Sequence, residues 1–139
     1  MRLTLRAAGT ADLALVWQRY SQPELWTTWA PQIRRVDCSA DSLAVGVTGT
    51  VFGVVPNLGA QFEVVELDPE SHRWAWDVVA GPVRMHLDHA SEARIGGGTS
   101  TTLFVDGPAA AVLTYAPIAR ISLESLVRPP KARPTPGGG

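Results

Sequence analysis

QFEVVELDPESHRWAWDVV, residues 61–79, reads as two strands joined by a tight turn. Phe62 and Val64 alternate with Gln61 and Glu63, the period of a strand with one buried face. Asp68-Pro69-Glu70-Ser71 supplies turn chemistry, and Arg73 to Val79 returns with Trp74, Trp76 and Val78 on one face. The next stretch, VRMHLDHASEA at 83–93, follows the Gly81-Pro82 turn as a longer strand. Gly96-Gly97-Gly98 then turns into a strand over Thr99 to Asp106. Consecutive strands on short turns form an antiparallel meander.

Working outward toward the N-terminus, Leu43 to Val55 and Ile33 to Asp37 read as strands, with Gly46 and Gly49 as bulges or bends. Before them, Leu13, Val16, Trp17 and Tyr20 share one face of a helix that Thr10 or Asp12 caps. Pro23 opens a second short helix carrying Leu25, Trp26 and Trp29, and Pro31 ends it. Leu3 and Leu5 mark a first strand. On the C-terminal side, Gly107-Pro108 opens a long helix to about Val127. Val112, Ala116, Ala119, Leu123 and Leu126 form its apolar stripe, and Pro117 is expected to kink or restart it.

The fold class is therefore α+β: an antiparallel sheet of six to seven strands against a long C-terminal helix, with two short helices after the first strand. The 139 residues make one domain, residues 1–128. The Pro/Gly-rich segment 129–139 reads as a mobile tail. Net charge is −1, and no basic patch with interleaved aromatics occurs, which argues against nucleic acid as a partner. Cys38 is the one cysteine, so neither an internal disulfide nor a cysteine metal cluster is available. That usage, with no signal-peptide pattern and no apolar run near the roughly 18 residues of a membrane span, points to the cytoplasm. Lys131 is the one lysine, which removes Schiff-base chemistry from the body of the domain. The triple glycine lies between strands and is no phosphate loop, and no Gly-x-Ser-x-Gly elbow occurs.

Strand parity sorts the candidate site residues. Val83, Met85, Leu87 and His89 share the apolar face of their strand, so His89 points inward. It is the candidate general acid/base, or a donor to a ligand carbonyl, because imidazole titrates near neutral pH. His86, with Arg84 and Asp88, belongs to the outer face, and His72 to a surface turn. On a strand His86 and His89 cannot chelate one ion, so no metal site is expected. Trp74 and Trp76 either line a cavity or pack as ordinary core. Trp26 and Trp29 either roof its mouth or close the angle between the helices, and Trp17 is assigned to the core. Tyr20 and Tyr115 are phenols of open role. A bulge reversing parity would bury Asp77 and Glu63 instead.

In this order, the residues resemble the START-like (SRPBCC) superfamily, and within it the bacterial polyketide cyclase/dehydrase and lipid-transport group. Pro23, Trp26, Trp29 and Pro31, followed by Ile33 and Val36, match the entry into the second strand. Gly46 and Gly49 match the glycine pair, and Phe62, Val64, Glu66, Trp74 and Trp76 the central hairpin. His89, Gly98-Thr99 and the helix with Pro117, Leu123, Leu126 and Val127 complete the match, over about residues 1–128. The resemblance implies a helix-grip fold. It also implies a cavity for a hydrophobic or aromatic small molecule, such as a polyketide, that needs no cofactor. The implied activity is cyclisation or dehydration of a biosynthetic intermediate through shape and proximity, with His89 assisting. The alternative is a non-catalytic carrier or sensor of a hydrophobic molecule or lipid. A third possibility is an interaction domain whose cavity is filled by side chains. The expected ligand contacts are Trp26, Trp29, Phe62, Trp74, Trp76, Met85, Leu87 and Tyr115. The assembly is a monomer or homodimer.

Overall fold

Residues 59–106 cross one sheet four times. The computed structural model describes residues 1–53 and 59–130. Its strands are β1 (Arg2–Gly9), β2 (Arg35–Cys38), β3 (Thr48–Phe52), β4 (Gly59–Asp68), β5 (Arg73–Ala80), β6 (Val83–Ala93) and β7 (Thr99–Asp106). The helices are α1 (Leu13–Ser21), α2 (Trp26–Trp29) after a 3-10 turn at Pro23–Leu25, and α3 (Ala109–Leu126). The sheet runs β1-β7-β6-β5-β4-β3-β2, and all its pairs are antiparallel. Every neighbour but β1 is sequential, as short turns between strands dictate.

The third strand is shorter than its Val/Thr-rich sequence predicts. It begins at Thr48, because Gly46 turns with φ +92° and Leu43 and Val47 bury their side chains from a loop. Val54 and Val55 lie outside the described residues, as does the tail from 131. In β4 a bulge falls between Val64 and Glu66. Phe62 opposes Val78, Val64 opposes Trp76, and the extra residue puts Leu67 opposite Trp74. The bulge therefore preserves the inward parity, and Glu63 stays exposed with Asp77 half-buried.

Three local expectations change. Asp12 occupies the N-cap of α1 without a side-chain bond. His72 is half-buried and meets Trp17 edge-to-face, with ring centroids 5.5 Å apart. Trp17 is itself half-buried at the margin of the core rather than central to it. Of the two outcomes open to Pro117, a restart does not occur: α3 runs through it as one helix. The proline sits on the exposed face, as does Leu113, whose carbonyl has no amide to accept from at position 117.

The C-terminus of α3 is pinned. Arg19 donates from one guanidinium nitrogen to the carbonyls of Leu126 and Arg128, at 2.6 and 2.7 Å. The Ala11 amide donates to the Val127 carbonyl at 3.0 Å. Gly9 lies so close to that carbonyl that a β-carbon there would collide with it. Gly98, at φ +86°, packs against Gly9 in the same way. Held at this corner, α3 packs mainly on β1, with lesser contact to β7 and α2. The concave face over β3–β6 is left partly uncovered.

Across the convex face one transverse row runs Glu63, Asp77, His86, Asp106, Arg2, each opposite the next. His86 Nδ1 lies 2.6 Å from Asp77, and its Nε2 lies 3.2 Å from Asp88. Carboxylates on both ring nitrogens call for the doubly protonated ring. Burial pulls the His86 pKa down, but the Asp77 hydrogen bond, the Asp88 and Asp77 charges and the Asp88 hydrogen bond hold it above the usual value. This stabilisation is full below the unfolded value of about 6.5 and is lost as pH rises through the raised folded value. The side chain is 40% exposed, so screening keeps the contribution under about 1 kcal/mol. Urea unfolding of wild type and His86→Gln should show a gap that closes toward alkaline pH. A widening gap would contradict the charged ring.

Candidate functional site: a divided pocket beneath the terminal helix

Two compartments lie between α3 and the concave face. The larger holds about 530 Å³. Val51 and Phe52 of β3, Val78 of β5 and Met85 and Leu87 of β6 form its floor, and Thr114 and Ile118 of α3 lie over it. The inner one holds about 40 Å³, room for one to three waters. Tyr20, Trp26, Trp29, Trp74, His89, Leu103 and Ser122 line it. Gln32, Ile33, Trp76 and Tyr115 border both compartments and so form the partition. Among the described residues, no Arg, Lys, Asp or Glu lines either compartment.

The inner wall is an aromatic cluster. Alternation on β5 sends Trp74 and Trp76 inward, and α2 lowers Trp26 onto them. Trp26 stacks on Trp74 with centroids 6.1 Å apart and meets Trp76 edge-on at 5.1 Å. Its indole N–H donates to the Tyr20 carbonyl at 2.9 Å, and that of Trp29 to the Arg19 carbonyl at 3.0 Å. The indole nitrogens of Trp74 and Trp76 are buried without any partner among the described residues. Leaving a buried donor unpaired costs about 1–3 kcal/mol, which makes these two groups conspicuous.

His89 stacks flat on Trp74, with centroids 3.9 Å apart and planes 5° from parallel. Its Nδ1 lies 3.2 Å from the Trp74 carbonyl. A carbonyl only accepts, so Nδ1 carries the proton and Nε2 the lone pair. Burial drives the His89 pKa down to about 3, against the opposing Trp74 hydrogen bond, with a small further push from His86. The ring is thus neutral near pH 7. Of the two roles expected for it, general acid/base or donor to a ligand carbonyl, the accepting Nε2 suits the first as a base and not the second. Tyr115 is held up at about 12 and Tyr20 is pushed above its usual range, both chiefly by burial. Tyr20 is tied to Thr101 at 3.3 Å, and Thr101 to Ser91 at 3.1 Å.

The structure brings together most residues singled out in the sequence. Trp26, Trp29, Trp74 and His89 border the inner compartment, Met85 and Leu87 the larger, and Trp76 and Tyr115 both. Phe62 borders neither. Its ring points inward but is taken up by Trp26 and Trp76, at 5.4 and 5.0 Å. Gln32 and Ser122 escaped the sequence reading. Ser122 donates to the Gln32 side-chain oxygen at 2.6 Å. The available signal was a serine beside Leu123 on the apolar stripe of α3.

A sheet gripping a terminal helix around an apolar pocket defines a helix-grip protein of the START-like class. The chain belongs to the polyketide cyclase / dehydrase and lipid transport family, whose sequence model matches residues 3–128. Among solved structures it is similar to a protein from Nitrosospira multiformis at 13% identity and TM-score 0.76, over 91% of this chain and 94% of that one. It is also similar to the major latex-like protein 151 of Panax ginseng, at 14% identity and TM-score 0.71, over 91% and 97%. At such identities the likeness is one of fold. No curated protein matches the chain in sequence. Among the described residues no helix is long and apolar enough to cross a membrane.

Proposed function

We propose that this protein binds a hydrophobic or aromatic small molecule, a biosynthetic intermediate, in the larger compartment, and acts as its carrier or receptor. The observation that carries this reading is an apolar pocket of about 530 Å³ with no charged side chain among its described lining residues. Pockets of this size and character hold small organic ligands. Burial of apolar surface would supply the affinity. Catalysis of cyclisation or dehydration is the second reading. It is favoured by His89, which borders the inner compartment with an accepting nitrogen, and by confinement of a flexible chain. The low basicity of His89 ranks it second, because a general base works best with a pKa near the operating pH. A cytoplasmic location fits the free, half-buried Cys38.

Native mass spectrometry of protein purified from its host, before and after addition of candidate intermediates, tests both readings. A carrier returns the ligand unchanged, and a cyclase returns a product with water lost or rings closed. Ala60→Trp places a large ring in the larger compartment and should weaken binding of neutral hydrophobic dyes such as Nile red at least about tenfold, with the fold intact. Equal dye binding by wild type and Ala60→Trp would remove the pocket from consideration.

A further inference from the structure

Trp74 and Trp76 are 3% and 8% exposed, and both line the inner compartment. Their indole nitrogens are donors without partners among the described residues. An indole N–H can donate and cannot accept. Further donors there are the Tyr115 hydroxyl and the Gln32 side-chain amide, both on the partition itself. The surroundings hold no cation that could balance a ligand anion: no Arg or Lys lines either compartment among the described residues, and His89 has its proton committed to the Trp74 carbonyl. Burial keeps the imidazole and both phenols uncharged near neutral pH. The residues bordering the inner compartment therefore carry buried donors and no positive charge, beside the accepting nitrogen of His89. An anionic headgroup entering it would lose its hydration with nothing of opposite charge to replace it, whereas a neutral carbonyl would gain hydrogen bonds.

We propose that the ligand is a neutral carbonyl compound, its apolar body in the larger compartment and its carbonyl oxygen between Trp76 and Tyr115, paired with the indole N–H groups of Trp74 and Trp76. The inference rests on the binding reading above and adds a rule of selection: ketones, quinones and esters are taken, and free carboxylates are refused. Tyr115 and Trp76 belong, with Gln32 and Ile33, to the partition through which the oxygen reaches the indoles. The volume of about 40 Å³ suits a carbonyl group and is too small for a ring.

Three naphthalenes of matched shape test this on the full chain at neutral pH. They are 2-acetonaphthone (a neutral ketone), 2-ethylnaphthalene (no acceptor) and 2-naphthoate (an anion). Calorimetric titration should rank the ketone about tenfold or more above the hydrocarbon, the worth of a hydrogen bond to an otherwise unpaired donor. The naphthoate should bind weakest. Infrared spectra of the bound ketone should show its carbonyl stretch lowered relative to the ketone in hydrocarbon solvent. In Trp74→Phe and Trp76→Phe, which keep the ring and remove the N–H, the ratio of ketone to hydrocarbon affinity should fall toward one. The wild-type series stands alone if either variant fails to fold. Equal binding of ketone and hydrocarbon would overturn the proposal and assign the indoles to water, with the pocket reading intact. Naphthoate binding as tight as the ketone would overturn it equally. Binding of none of the three would bring down the pocket reading and this proposal with it.

Discussion

Trp26→Ala is expected to lower the unfolding free energy by about 3–5 kcal/mol, the range for deleting a large aromatic from a packed core. Trp26 is 1% exposed and touches Phe62, Trp74 and Trp76 within one cluster. Its removal opens a void among rings that rigid strands hold in place, so little collapse can fill it. It also leaves the Tyr20 carbonyl without its indole donor. Stability of a domain this size is about 5–15 kcal/mol, so the variant should unfold at far lower urea or temperature. Trp17→Ala is the internal comparison. That ring is half-buried at the core margin, and its loss should be clearly smaller. Equal losses at the two positions, read from urea midpoints, would show that the Trp26 cluster carries no special share of the stability.

Acid lability traced to His89 is the second large effect. The folded-state value is about 3 and the ordinary value 6.5, because burial opposes the charged ring. The unfolded chain therefore takes up a proton that the folded one refuses. Stability is unaffected by this group above about pH 6.5 and falls by about 1.4 kcal/mol for each unit below it, down to the folded value. Two units below the unfolded value the loss is roughly 3 kcal/mol. The effect opposes that of His86, whose contribution is full in acid and disappears in alkali. His89→Gln should flatten the acid limb of the stability–pH curve whatever it does to the plateau, since the stack on Trp74 is lost at every pH. A wild-type curve with no acid slope beyond that of the variant would contradict a neutral, buried imidazole.

The second effect originates in a residue whose direction was legible along the chain, whereas the placement of Trp26 was left open between two alternatives. Period-2 alternation sends Trp74, Trp76 and His89 to one face, because successive side chains on a strand must point to opposite sides. Helical spacing likewise placed the stripe from Val112 to Leu126 against the sheet, since residues three and four apart share one side of a helix. The short turns at Asp68–Ser71, Gly81-Pro82 and Gly96–Gly98 left the meander as the natural path. Even the bulge in β4 kept the reading intact, because its extra residue restored Leu67 to the inner face.

The sequence by itself thus determined the order of elements, the antiparallel sheet, the terminal helix and which residues share a strand face. These follow from local periodicity and turn chemistry, which need no knowledge of distant residues. The tertiary structure alone decided that two compartments exist, that Gln32, Ile33, Trp76 and Tyr115 divide them, and that Phe62 is packed away from both. It also decided that His89 is neutral with its proton turned to the Trp74 carbonyl, and that two indoles are left unpaired. Those properties depend on where α3 comes to rest. Arg19, Ala11 and Gly9 hold its end toward β1, and the space it leaves over β3–β6 is the pocket. Cavity volume, burial and pairing are set by contacts between residues far apart in the chain, such as Arg19 and Arg128 at 109 positions, beyond the reach of any local pattern.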